Sequence, residues 1–289
     1  MGSLWRPVVG ADALTLWAWL REHPVEGVVF SSALQEAERH GFDLAQAGLC
    51  LLESVASEPL ALATTRGVVE LFAPERAAWP ELAPFVQAHL PAAPVLLGQA
   101  PVVEAVLAGL TALPGPLKKD ERLTVLTLRP EDLAARPAAP GFRLAGPADV
   151  HEVARQAAAM RAAELGFDPT AADPAGALAG VAWQILQERV WVLEHEGAIV
   201  YQVQLGRQTP AWGVLEGAWT PPEHRGRGHG LRGWHAACAA VLEACNGVLA
   251  VTREDNQPQL RIEERTGFKP QPVPQRVVVW ASPAVSPEA

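Results

Sequence analysis

The chain has 289 residues, 49% of them hydrophobic, a formal net charge of −9 and three cysteines. That length fits one large domain or two ordinary ones, and the acidic balance excludes a general nucleic-acid binder, which presents a basic face. No run approaches the ~18 apolar residues of a membrane span, and "MGSLWRPVVG" lacks the apolar core and cleavage site of a signal peptide, so a soluble cytoplasmic protein is expected.

Helical spacing begins in "ADALTLWAWLREH", through Leu14, Trp17 and Leu20, with Pro24 after it. "SSALQEAERHG" reads as a second helix, capped by Ser31 or Ser32 and followed by Gly41. Cys50 opens a set of strand-like runs, "GLCLLES", "PLALATT" and "GVVELFA". "PERAAWPELAPFVQAHL" then reads helical despite Pro80 and Pro84. "APVLLGQ", "APVVEAVLAGL" and "RLTVLTL" follow as strand, helix and strand. Residues 129–141 carry Pro130, Pro137 and Pro140 among alanines and read as a linker, because proline removes backbone donors and stiffens the chain. The expected organisation is a domain over 1–130, a linker over 131–140 and a second domain over 141–289.

In the second half, "GFRLAGPADV" gives a short strand and a helix start, and the helix "HEVARQAAAMRAAELG" ends at Gly166. Another helix lies in "AGALAGVAWQILQERV". Three strands follow, "VWVLEHEG", "AIVYQVQLG" and "AWGVLEGAWT", the first two joined by a tight Glu196-Gly197 turn. "LRGWHAACAAVLEAC" places Leu231, Trp234, Cys238, Val241 and Cys245 on one apolar stripe. "GVLAVT", "NQPQLRIEERTGF" and "RVVVWAS" read as strand, helix and strand, and the "AVSPEA" tail as frayed. The three cysteines have no zinc-like or redox spacing and read as reduced thiols. No metal site is expected.

Between the third of those strands and the following helix stands "EHRGRGHG", residues 223–230. A strand-to-helix loop offers unpaired N–H groups and a favourable dipole to an anion. Glycine lets the backbone approach a ligand closely, and Arg225 and Arg227 add positive charge. The chemistry points to a phosphorylated ligand, and the bland alternative is a solvated basic turn. "GHGLRG" also fits the dinucleotide pattern G-x-G-x-x-G. However, "PPEHRGR" separates it from its strand, and too little chain follows to build parallel β-α units.

Arg225-Gly226-Arg227-Gly228-His229-Gly230 is R-x-x-G-x-G, which resembles the acyl-CoA signature of the GNAT superfamily of acetyltransferases. Asn256 and the "ERTGF" ending at Phe268 resemble its second motif, N-x(10)-G-F, and "FRLAGPADV" resembles its first strand and helix. The resemblance spans roughly residues 141–281. The whole chain resembles two-domain bacterial GNAT proteins with an N-terminal domain of unknown function. It implies an α/β fold with a mixed α+β sheet, with the transferase fold in the C-terminal half. The N-terminal half reads as a degenerate copy. Its junction "FAPERAAWPE" has no glycine where the CoA loop belongs, so it is expected not to bind CoA. Its expected role is to wall the substrate cleft or to make a dimer contact.

The resemblance further implies direct attack of a primary amine on the thioester of acetyl-CoA. Residues 225–230 would hold the pyrophosphate, with Asn256 in the second motif. The strand at Trp219 and Thr220 would align the pantetheine and offer an N–H to the thioester oxygen. Pro221 departs from the pattern, since it lacks an N–H. The position of the family's proton-donating tyrosine holds Glu263, read as a proton donor if burial raises its pKa, or else as an exposed helix residue. Glu216 is the candidate base, placed by alternation on a face with Val214, Ala218 and Thr220. Glu164 is a candidate for binding a cationic amine. His224 and His229 flank the phosphates, while Trp183, Trp212 and Trp219 read as core or cleft wall. The alternatives are a CoA-binding pseudoenzyme or regulatory module, and a transferase using another acyl donor such as aminoacyl-tRNA. The acceptor is a small-molecule or protein amine.

Overall fold

A computed structural model describes residues 4–41, 43–46, 48–65, 68–90, 94–165 and 173–281. The expected helix end at Gly166 and the 284–289 tail lie outside the described residues. The chain forms two compact units. The first comprises residues 1–125, 251–256 and 270–289; the second comprises 126–250 and 257–269.

The first unit begins with β1 (Leu4–Pro7), α1 (Ala13–Arg21), α2 (Val28–His40), β2 (Leu49–Glu53), β3 (Pro59–Thr64) and β4 (Val69–Phe72). It continues through α3 (Trp79–His89), β5 (Val95–Gln99), α4 (Ala100–Gly109) and β6 (Leu117–Leu128), whose last residues enter the second unit. β1 to β4 are antiparallel neighbours, and β4 pairs with β5 in parallel. Alternate strand residues point to opposite faces. One face packs Val69, Leu71, Leu82, Val86, Val103 and Val106 under α3 and α4; the other packs Leu16, Leu20, Phe30, Leu34, Leu62 and Phe72 under α1 and α2. Ser31 and Ser32 do not cap α2. They are buried inside it, and Gly27 precedes its first residue.

The second unit holds β7 (Phe142–Leu144), α5 (Val150–Leu165), α6 (Pro174–Leu186), β8 (Val190–His195), β9 (Ala198–Gln208) and β10 (Gly213–Trp219). Then come α7 (His229–Leu242), the start of β11 (Val248–Arg253) and α8 (Gln257–Thr266); two short strands close the chain's description, β12 (Lys269–Pro270) and β13 (Gln275–Trp280). β7 to β10 are antiparallel neighbours, and β10 pairs with β11 in parallel. Element by element, this is the order of the first unit: strand, two helices, a meander, helix, parallel strand, helix. The resemblance extends to side chains. In the first unit Arg6 on β1 bonds Asp12 and Glu53, each at 2.7 Å. In the second, Arg143 on β7 bonds Asp149 at 2.6 Å and Glu194 at 2.9 Å. Each aspartate also accepts a backbone N–H at the start of a 3-10 turn, from Val9 and Gly146 respectively.

β13 belongs to the first unit. It lies between β5 and β6, antiparallel to both, from Gln275 against Gln99 and Leu123 onward. The last strand among the described residues therefore fills a place in the N-terminal unit. Residues 133–140 have no regular structure, yet they are bonded within the second unit: Ala134 N–H donates to Thr266 O at 2.9 Å, and Arg136 Nη2 donates to Arg265 O at 3.0 Å.

Candidate functional site

β10 carries the centre of the site. It pairs with β11 at Gly213↔Val248 and Val214↔Leu249, and no further pair joins the two strands among the described residues. Beyond Val214 its edge on that side is open. On the other side, β10 has a bulge: Glu216 faces Gln204 and Trp219 faces Gln202, so β10 holds one more residue than β9 in that interval. Gly217 has a φ of +65°, a conformation that costs an L side chain steric energy. The extra residue breaks the expected alternation. Leu215 and Ala218 both pack on the cluster of Trp234, Cys238 and Phe268, so Ala218 does not share a face with Glu216.

The open edge leads into the 223–230 loop. A 3-10 turn spans Pro222–His224, and Arg225 follows. Its Nε donates to Thr220 O at 3.0 Å, and its guanidinium stands 4.6 Å from the Trp219 ring centroid. The arginine thus braces the loop against the end of β10. Gly226 and Gly228 have φ of +76° and +79°, and an added Cβ on either would meet nothing within 4 Å. Glycine is needed here for backbone conformation and not for internal packing. Gly228 caps α7 without a side-chain bond, which leaves the first N–H groups of the helix facing outward. At Gly230 an added Cβ would lie 3.3 Å from Thr220 Oγ1 and from Ile262.

Beside this loop is an open cleft of about 420 Å³, lined among others by Arg143, Glu152, Arg155, Glu194, Glu223 and His224. Its arginines are committed to carboxylates. Arg155 meets Glu152 at 2.6 Å, and Arg143 meets Asp149 and Glu194. The Arg143 guanidinium lowers the pKa of Asp149, and Arg155 lowers that of Glu152. Gln156, buried beneath, donates to Glu152 Oε1 and to Ile199 O, both at 2.8 Å.

Glu216 is held on both sides of its carboxylate. Gln204 Nε2 donates to Oε1 at 3.0 Å, and Arg207 stands 3.8 Å from Oε2. Glu263 is not an exposed helix residue, which corrects one of its two sequence readings. Its residue exposure is 0%, and Gln259 Nε2 donates to it at 3.1 Å. The amphipathic turn of α8 places Glu263 inward with Thr266, where α8 packs against α7. Tyr201 is also buried, and its pKa is raised well above its usual value, by burial first and then by its neighbours Cys238 and Glu263. Glu164 lies exposed in the last turn of α5, and residues 166–172 that follow the helix are outside the described residues. Asn256 closes the turn before α8, where its N–H donates to Arg253 O at 3.0 Å. Trp212 is core and Trp183 is about half-exposed. All three cysteines are free thiols. Sequence reasoning missed the bulge and His195, whose ring centroid is 5.2 Å from that of His229. Gly217, a glycine inside a strand pattern, was the available signal for the bulge.

Among the described residues no group of three or more His, Cys, Asp or Glu is placed to hold a metal ion, and no helix is long and apolar enough to cross a membrane. Several solved structures share the fold over nearly the whole chain. An N-acetyltransferase from Sphaerobacter thermophilus is 17% identical, with 96% of this chain and 94% of that one covered at a TM-score of 0.59. An acetyltransferase from Colwellia psychrerythraea is 12% identical, covering 96% and 99% at 0.58. A tandem GNAT protein from the clavulanic acid biosynthesis pathway is 14% identical, covering 99% and 100% at 0.55. No curated protein matches the chain. The model of the acetyltransferase (GNAT) family matches residues 158–268, an interval that contains β10, its bulge and the glycine loop. The C-terminal half of the chain therefore carries a domain of the GNAT acetyltransferase family.

Proposed function

We propose that the second unit transfers an acyl group, acetyl foremost, from acyl-CoA to a primary amine. One observation carries this reading: β10 leaves β11 after Val214 and runs, through a bulge, into an uncapped helix start with two left-handed glycines. The outward N–H groups suit the diphosphate of CoA. The unpaired edge of β10 suits an extended pantetheine amide arm, which would add as a strand. A backbone N–H of β10 near Trp219 suits the thioester oxygen as it gains charge.

The reaction needs no covalent enzyme intermediate. The amine lone pair attacks the thioester carbon, the C–N bond forms, the C–S bond breaks and CoA leaves as a thiolate. The amine's proton passes to Glu216, directly or through water, and Gln204 and Arg207 hold that carboxylate in place. The thiolate takes its proton from water or from Glu263. Glu164 and Asn256 are assigned to the amine and to CoA, respectively, by the family resemblance. Residues 1–130 are proposed not to bind CoA. β3 and β4 pair without a register shift, and the β4–α3 junction has no glycine.

Glu263 in place of the family's proton-donating tyrosine favours a second reading, a CoA-binding module without turnover. Calorimetry with acetyl-CoA on the full chain, beside Gly228→Asp, tests the shared part. The expected result is binding that Gly228→Asp abolishes, because the new carboxylate stands against the diphosphate. Wild-type protein that is folded and does not bind sinks the acyl-CoA reading. Thiol release with a panel of primary amines then separates transfer from binding alone.

A further inference from the structure

Three histidines meet at the start of α7. His229, its first residue, lies 5.2 Å from His195 at the end of β8 and 6.3 Å from His224 in the preceding turn, between ring centroids. His229 is 3% exposed, and its Nδ1 is 2.7 Å from Arg232 Nη2. A guanidinium can only donate, so Nδ1 accepts and the ring proton sits on Nε2. That Nε2–H is buried and meets no acceptor. The two ring nitrogens point apart, so this donor is directed away from Arg232.

Two arginines and two histidines surround His229. Arg232 comes from its own helix, Arg227 from the loop, His224 from the turn and His195 from β8; burial first, then these four, lower its pKa. Glu196 Oε1 stands 3.9 Å from His195 Nε2, at the outer side of the group. A neutral ring with an unsatisfied donor, set among cations at a helix start, lacks a negative charge.

We propose that His229, between His195 and His224 at the start of α7, couples acyl-CoA binding to proton uptake. This deepens the acyl-CoA reading and rests on it. A diphosphate on the loop offsets the positive charge of Arg227 and Arg232, so His229 holds a proton more readily in the complex. By linkage, affinity is highest at low pH and falls as pH rises through the titration of His229 in the complex. A rise of one unit in proton affinity corresponds to an affinity about tenfold tighter on the acid side.

The test is calorimetry of dephospho-CoA binding to the full chain in buffers of different ionisation enthalpy. Dephospho-CoA keeps the diphosphate and lacks the 3′-phosphate, whose own titration would add protons. The expected result is a net uptake of a fraction of a proton per ligand at about pH 6.5, vanishing by about pH 8.5. Kd should weaken by up to about tenfold across that interval. His229→Asn should remove the uptake. His195→Gln, on a half-exposed ring of another element, should reduce it and serves if His229→Asn does not fold. Tight binding with no uptake, or uptake unchanged in both variants, overturns the proposal. Absence of binding at every pH instead overturns the acyl-CoA reading, and this proposal with it.

Discussion

Gly206 leaves the space that the Glu216 carboxylate occupies. A Cβ on Gly206 would overlap the carboxyl carbon and both oxygens of Glu216 across the β9–β10 pair. Gly206 does not adopt a positive φ, so the missing side chain serves room and not conformation. Gly206→Ala should therefore swing Glu216 away from Gln204 and Arg207. Stability should change by less than about 1 kcal/mol, because a half-exposed side chain can move aside. If Glu216 is the base, kcat should fall about tenfold or more with acetyl-CoA affinity unchanged. Shortening the acid, in Gly206→Ala/Glu216→Asp, should restore part of it. Full activity in Glu216→Gln would remove Glu216 from the chemistry.

A second glycine serves packing in the same unit. A Cβ on Gly233 of α7 would run into the Tyr201 ring, which is buried. Gly233→Ala should cost about 1–3 kcal/mol through overpacking, read as a lower Tm. Gly226→Ala meets no atom, and its left-handed backbone alone should cost about 1–2 kcal/mol. The two variants should separate in function: Gly226→Ala weakens acetyl-CoA binding beyond what its stability loss explains, and Gly233→Ala does not.

Glu263→Gln keeps the size of a fully buried side chain and removes its acid. If Glu263 protonates the departing thiolate, kcat should drop by about 10²-fold or more at unchanged acetyl-CoA affinity. Turnover at the wild-type rate assigns that proton to water.

The paired ion networks predict acid sensitivity. Arg6 lowers the pKa of Asp12, and Arg143 lowers that of Asp149. Each group contributes stability that is present above its unfolded pKa and lost as pH falls through its folded one. Thermal stability should decline below about pH 4. Arg6→Met and Arg143→Met should each cost about 1 kcal/mol at neutral pH, since the guanidinium groups are partly exposed. Both should flatten the acid limb. His229 acts in the same direction in the free protein, because a pKa lowered by burial also withdraws stability as pH falls.

The repeated architecture was half legible in the sequence. The meander and the β-α-β run of the first unit are read from period and length, but β1 is a four-residue strand ending in proline and gives no period. The clearer trace is a pair of short segments, "WRPVVGAD" and "FRLAGPAD", which place Arg6 with Asp12 and Arg143 with Asp149 at equal spacing. Their meaning appears only when the third partner, Glu53 or Glu194, arrives from a strand far along the chain. The anion loop was legible because glycine and arginine density is local. The bulge left only Gly217 as a local trace, and the burial of Glu263 depends on neighbours in other elements that no local pattern encodes.

β13 bears on how this protein is made. β6 ends at Leu128, and the strand that fills the gap between β5 and β6 begins at Gln275. On the ribosome, N-terminal domains ordinarily fold first. Here the N-terminal unit is the last to be completed, with two bare strand edges until the closing segment emerges. Exposed edges of this kind template aggregation. A stop codon anywhere before Gln275 should thus damage the half of the protein that was synthesised first.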